Sequence, residues 1–254
     1  MSCKNFCSGK DLNSTQQPFP IKGLLKSNLN LNIEELINKV QDQNIKTIYA
    51  YVLTTIEYSQ NEFVQTGCAP NYQGEFITLF TCKRYMRSFH TKEYWKNNVW
   101  IAGITGSNSP MSNKLFYFMK VKETFISQFE AWNYFNVSIR KDKSASCNFL
   151  GDLYEPKFAD ILIEEQFDVE KYIKPKNHVH LTTKKILIEE TEYYRDLNYM
   201  NRFGGRQFYL LGDPNYSFLW SKPLIKIKSD SHPRTKKYNS FDSFKKTITK
   251  NSLL

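Results

Sequence analysis

Apolar residues recur along this chain in two rhythms, and the breaks between them mark its elements. Asn32, followed by Ile33, Leu36, Ile37 and Val40 with Glu34 and Glu35 in the first turn, has the cap, charge and spacing of an amphipathic helix. Four apolar runs then predict strands: Thr47 to Glu57, Glu75 to Cys82, Asn98 to Ile104 and Lys114 to Val121. The turn-rich stretch Gln60 to Gln73, with Gly67 and Pro70, separates the first two. Between Thr124 and Tyr134 the period changes. Phe125, Phe129 and Trp132 share one helical face behind a Thr124 cap.

The remainder is more broken. Asn136 to Pro156 is polar and rich in Lys and Ser, and Ile161 to Ile173 reads as an inserted element, either helix or irregular. Thr183 to Tyr194 and Arg206 to Leu211 predict two closing strands, with Gly204 and Gly205 before the second. Pro223 marks the end of the predicted folded part. The chain thus divides into an N-terminal polar arm and helix (1–45), a central domain (46–223) and a basic C-terminal tail (224–254). Strands dominate and do not alternate regularly with helices. That predicts an α+β domain on a curved or closed, mostly antiparallel sheet with a few peripheral helices, rather than a doubly wound parallel sheet.

Composition adds a partner class. The formal net charge of +10 over 254 residues favours polyanions. From Ser221 onward only Asp230 and Asp242 oppose a series of Lys and Arg, which suits either a solvated extension or sequence-independent phosphate contacts. The 19 Phe, 16 Tyr and 4 Trp can fill a core or offer faces to planar ligands. Five Cys in no pairing pattern, a polar Met1 to Lys10, and no run near the roughly 18 apolar residues of a membrane span lead to an expectation of a reduced, cytoplasmic protein.

Known chemistries are excluded more readily than assigned. Neither GxGxxG nor GxxxxGK[ST] occurs, so Rossmann and P-loop nucleotide enzymes are set aside, and any cofactor is left unknown. His178 and His180 share a strand face, but Cys147, Asp152 and His90 stand at no recognised ligand spacing; no metal is expected and a zinc deaminase is rejected.

The remaining candidates each have a second, structural reading. Cys82 lies between Thr81 and Lys83, where an ammonium favours thiolate, yet strand alternation turns Cys82 inward and Lys83 outward. Lys83, Arg84 and Arg87 form a basic run that either grips phosphate or is simply solvated. The Asn71 amide beside Pro70 can read a base edge or only make a turn. Trp100 and Tyr117, on neighbouring strands, can stack a base or fill the core. Thr105, Gly106 and Ser107 offer backbone N–H groups and hydroxyls to an anion. Asp152, after Gly151, suits a general base or an Asx turn, and His180 is an outside candidate for proton transfer.

Motif order points to a family. Ile48-Tyr49-Ala50-Tyr51-Val52, Ala69-Pro70-Asn71, Thr78 to Lys83 with Arg87, Val99 to Ser107, Leu115 to Val121 and Gly151-Asp152-Leu153-Tyr154 follow one another. A looser match runs from His180-Leu181-Thr182 into Ile186-Leu187-Ile188. In that order the chain resembles the second family of nucleotide modification associated domains, found in phages and bacteria near DNA-modification genes. The resemblance implies a role on DNA or its modified bases, by reading or by processing. The strand-and-turn pattern is also similar to PUA-like barrels such as the EVE and ASCH domains, which implies a base pocket beside Trp100 to Gly106. Two departures stand out: Asn97-Asn98 where the family carries Gly-Asp, and Leu181 where it carries an acidic residue after the late His.

Three functions follow as expectations. The first is a nucleic-acid-associated module with a pocket for a nucleobase or modified nucleotide, with DNA or that nucleotide as partner. The second is a base-modifying enzyme using Cys82, Asp152 or His180 in the same pocket. The third is an interaction protein whose basic tail meets an acidic partner. Whether the chain self-associates is left open, and so is whether it is an enzyme.

Overall fold

A computed structural model of the chain describes residues 17–18, 26–59, 62–106, 111–148, 150–175, 197, 207–228 and 235–249. Its centre is a six-stranded sheet in the order β5-β8-β7-β6-β2-β9, formed by β2 (Thr47–Val52), β5 (Thr78–Leu79), β6 (Val99–Ile104), β7 (Leu115–Phe125), β8 (Tyr209–Leu219) and β9 (Lys236–Tyr238). Only β2 and β6 run parallel; every other pairing in it is antiparallel. A second sheet joins β1 (Gln17–Pro18), β4 (Glu62–Gln65) and β3 (Ile56–Ser59) in that order. The large sheet is strongly curled into a half-barrel, and with its helices the fold is α+β, as the pattern of runs predicts.

The curl has a local cause. Pairing of β7 with β8 shifts register after Met119 and again after Val121, so Met119 meets Ser217 while Val121 meets Gly212. The residues between, including Pro214, form a bulge on β8, a feature that bends the strand carrying it. Asn28 Nδ2 holds the bulge by donating to the carbonyls of Pro214 and Asn215. This is why the strand predicted to end at Leu211 continues to Leu219: Gly212-Asp213-Pro214 interrupts the ladder without ending it.

Strand alternation sorts the core onto two faces. Tyr49, Tyr51, Ile101, Tyr117 and Met119 fall on one; Ile48, Ala50, Trp100, Ala102, Phe118 and Phe218 fall on the other. The second face is covered by α1 (Ile33–Val40), whose Asn32 and Glu35 form a reciprocal capping box, as the pattern there predicts. α1 buries Ile33, Leu36 and Val40.

Other boundaries move. The helix expected from Thr124 is α4 (Gln128–Tyr134), capped by Ser127, because Thr124 pairs with Leu210 at the far end of β7. The polar stretch after Asn136 contains α5 (Val137–Lys143), with Asn136 accepting from the Ile139 N–H. Of Glu75 to Cys82 only β5 pairs as a strand, and the insertion after Ile161 holds two short 3-10 turns. Two further helices, α2 (Arg84–Arg87) and α3 (Lys92–Asn98), precede β6.

Residues expected as a separate basic tail pack onto the sheet. Ile225 and Ile227 are buried, β9 pairs with β2, and α6 (Phe241–Lys245) stacks Phe244 on Phe118. The strand predicted from Thr183 to Tyr194 lies outside the described residues.

Candidate functional site

The parallel pair β2/β6 ends at Val52 and Ile104, and what gathers there is the best-defined chemical cluster of the described residues. Tyr51 and Tyr117 share a hydroxyl–hydroxyl hydrogen bond of 2.7 Å. Burial, reinforced for Tyr51 by the neighbouring phenols Tyr117 and Tyr72 and by Cys82, holds both well above the usual tyrosine range. Tyr72 packs edge-on against Tyr117 at 5.6 Å and is raised by burial and by Tyr117. The phenols are therefore neutral hydrogen-bonding groups at physiological pH.

Over this floor sits a turn. Cys82 and Lys83 are consecutive non-glycine residues with φ of 57° and 45°, in the left-handed region. Such a pair persists only where the surroundings impose it. Arg87 is what imposes it: its Nε donates to the Cys82 carbonyl at 2.9 Å and its Nη1 to the Phe208 carbonyl at 2.7 Å. The turn brings the Lys83 ammonium 4.4 Å from the centre of the Tyr51 ring. Lys83 is half-buried, and loss of solvent lowers its pKa, partly opposed by Cys82. Gly106 lies at the same strand ends, beside Val52 and Leu53.

Behind the turn is a buried polar network. Asn71 and Thr78 exchange both backbone hydrogen bonds, and the Asn71 amide donates to Leu150 O at 2.8 Å. Its Oδ1 accepts from the Gln73 N–H and from Lys143 Nζ. Asp152 accepts from Thr78 Oγ1 at 2.9 Å and from the Phe80 N–H at 3.1 Å. Burial pushes Asp152 up to about 6, and burial lowers Lys143 to about 8; in each case the opposite charge of the other works against the shift. This pair of titrating groups is wholly interior. Through Thr78 and Phe80 it holds the segment that ends in the Cys82 turn.

Cys82, Lys83 and Tyr117 are thus brought together at the strand ends, with Asn71 and Asp152 in the interior network behind them. The others are not. Trp100 is walled in on the opposite sheet face, stacked 4.8 Å from Phe118 and parallel to Phe218, so it cannot share a ligand with Tyr117. The expectation that they flank a base is corrected by the strand alternation itself. Arg87 is buried with its N–H groups on carbonyls, so it shapes the turn instead of gripping phosphate. Asn71 is equally buried and acts as an internal clamp, not at a base edge. Lys83 does not point away as strand alternation implies, because Cys82 and Lys83 form a turn. Thr105 is buried, its hydroxyl donating to Met111 O and accepting from the Lys114 N–H, which closes the β6–β7 connection. Ser107 and His180 lie outside the described residues.

Sequence reasoning missed Tyr51, Tyr72 and Lys143. Tyr51 carried a signal, as a polar-tipped residue at the end of an apolar strand. Lys143 carried none, standing among Lys141, Ser144 and other polar residues. Among the described residues no group of three or more His, Cys, Asp or Glu could hold a metal ion, and no helix is long and apolar enough to cross a membrane.

No curated protein and no solved structure matches the chain. A family model does, from residue 45 to 252, running from the start of β2 through β9 and α6. The motifs that form the Cys82 turn, its tyrosine floor and the strands beneath therefore fall within one matched domain, and the chain belongs to the family described as Nucleotide modification associated domain 2.

Proposed function

We propose that this chain is a nucleic-acid-associated module that receives a nucleobase or modified nucleotide at the half-buried Cys82–Lys83 turn, above the buried Tyr51–Tyr117 pair. Family membership supplies the association with nucleotide modification. The observation that carries the finer reading is the left-handed Cys82–Lys83 turn, held by a buried arginine and placing an ammonium over a tyrosine at the strand ends. Unusual backbone of this kind concentrates at functional sites. Lys83, half-buried in the turn, supplies charge for a phosphate, and the buried phenol pair fixes the floor beneath it. Titration with nucleoside monophosphates and with DNA at rising salt tests this. Binding should weaken with salt and in Lys83→Gln. Equal binding by wild type and Lys83→Gln would remove the reading.

The same turn supports a second reading, an enzyme of base modification. Cys82 is the thiol of the cluster and is not fully enclosed. A binder tolerates Cys82→Ser with little change. A thiol catalyst loses turnover by orders of magnitude while still binding. Mass spectrometry of nucleosides from cells with and without the protein separates them: an altered profile indicates processing, an unaltered one together with salt-sensitive binding indicates reading.

A further inference from the structure

We infer that the α2 surface is a stacking platform for single-stranded nucleic acid, leading a strand toward the Cys82–Lys83 turn. The inference rests on the proposed reading of that turn and names the form in which its ligand arrives. Tyr85 and Phe89 are large aromatic residues left exposed, at 71% and 40%. They meet edge to face at 4.8 Å, and Phe89 in turn rests 5.7 Å from the Tyr49 ring. Tyr49 is fixed from below by a 2.7 Å hydrogen bond to His90 Nε2 and by Trp95 at 5.7 Å. The exposed rings are thus held before any ligand arrives, so little conformational freedom remains to be lost on binding.

Charge selects the occupant. Lys83 caps α2, Arg84 opens it, and exposed Lys237 pairs with Tyr49 across the β2–β9 ladder, beside His90. Between Glu75 and Glu93 the sequence contains no acidic residue. The exposed apolar group Phe158, Leu162 and Ile163 differs in carrying mixed charge: Asp160, Glu164 and Glu165 stand with Lys157 and Lys171, the latter 5.5 Å over the Phe158 ring and paired with Glu165. Aromatic faces flanked by cations match a polyanion whose bases are unstacked, and a duplex does not offer its base faces. One base would stack on the face of Tyr85 and a second on that of Phe89, since the two rings stand nearly perpendicular, with phosphate near Arg84 and Lys83 leading toward the Cys82–Lys83 turn.

The test is fluorescence anisotropy of the full chain with labelled oligothymidylate, oligouridylate and an oligothymidylate–oligoadenylate duplex at low salt. Tyr85→Leu and Phe89→Leu should each weaken single-strand binding by about 5- to 150-fold, the range for losing one stacked base. Tyr85→Phe should retain it. The two single strands rank DNA against RNA, and loss of either complex in Tyr85→Leu supports the platform. Unchanged affinity in both leucine variants, a duplex bound as tightly as the single strand, or no strand binding at all would each overturn it. Nucleoside monophosphate binding compared between wild type and Lys83→Gln reads the turn separately. The platform can therefore fail while the turn stands, and the turn can fail while the platform stands.

Discussion

A side chain on Gly103 would occupy the space of the Tyr117 ring: a Cβ there would lie 2.2 Å from Tyr117 Cε1 and 2.4 Å from Cδ1. The two residues are partners across the β6–β7 ladder, immediately before the register shifts at Ile104. The missing side chain of one is what admits the ring of the other, and with it the Tyr51–Tyr117 hydroxyl pair.

Gly103→Ala should therefore displace Tyr117 and cost about 1–3 kcal/mol of stability, the usual range for overpacking. Gly106→Ala is the control, since its nearest neighbour would be Val52 Cγ1 at an ordinary 3.7 Å. Urea denaturation of both variants checks this. A neutral Gly103→Ala would mean that the ring has another place to go.

Arg87→Met leaves the carbonyls of Cys82 and Phe208 without their guanidinium donor. Bonds to charged groups contribute about 1.5–3 kcal/mol each, so a loss of about 3 kcal/mol or more is expected. Urea denaturation reads the loss, and an unchanged midpoint would show that these two carbonyl bonds do not hold the turn.

Lys83→Gly separates backbone from charge. Glycine adopts the left-handed region without strain, which for other residues costs about 1–2 kcal/mol. Thermal stability should hold or rise while nucleotide binding falls. If stability drops instead, the ammonium over Tyr51 contributes more to the fold than the turn costs.

The Asp152–Lys143 pair sets a pH profile. Asp152 is raised from 3.8 to about 6, so its contribution to stability is fully present below the unfolded value and is lost as pH rises through 6. Lys143 is lowered from 10.5 to about 8, so its contribution is present above 10.5 and is lost as pH falls through 8. From this pair, stability should fall between pH 4 and 6, stay low to pH 8 and rise beyond. Denaturation midpoints across that range should lose the acid-side slope in Asp152→Asn. Persistence of the slope in that variant would assign it to other groups.

Much of this architecture is legible in the chain because its causes are local. The Asn32–Glu35 capping box lies within four consecutive residues, and the strands of the half-barrel follow from short apolar runs. Boundaries failed where a distant partner overrode a local signal. The closing strand is predicted to stop at Leu211, yet pairing with β7 carries β8 past Pro214 to Leu219 through a bulge. Thr124 reads as a cap, yet Leu210 claims it for the ladder.

Alternation along β2, β6 and β7, and motif order across the domain, were properties of the linear chain; they specified a bent antiparallel sheet and its family. Tertiary structure alone decided which chemical groups meet. It placed Trp100 and Tyr117 on opposite faces, turned Arg87 inward to two carbonyls, and joined Lys143 to Asn71 across 72 residues. Local propensity depends on a few neighbouring side chains. The environment of a buried polar group depends on strand register and on segments far away in sequence, and only the folded chain brings those together.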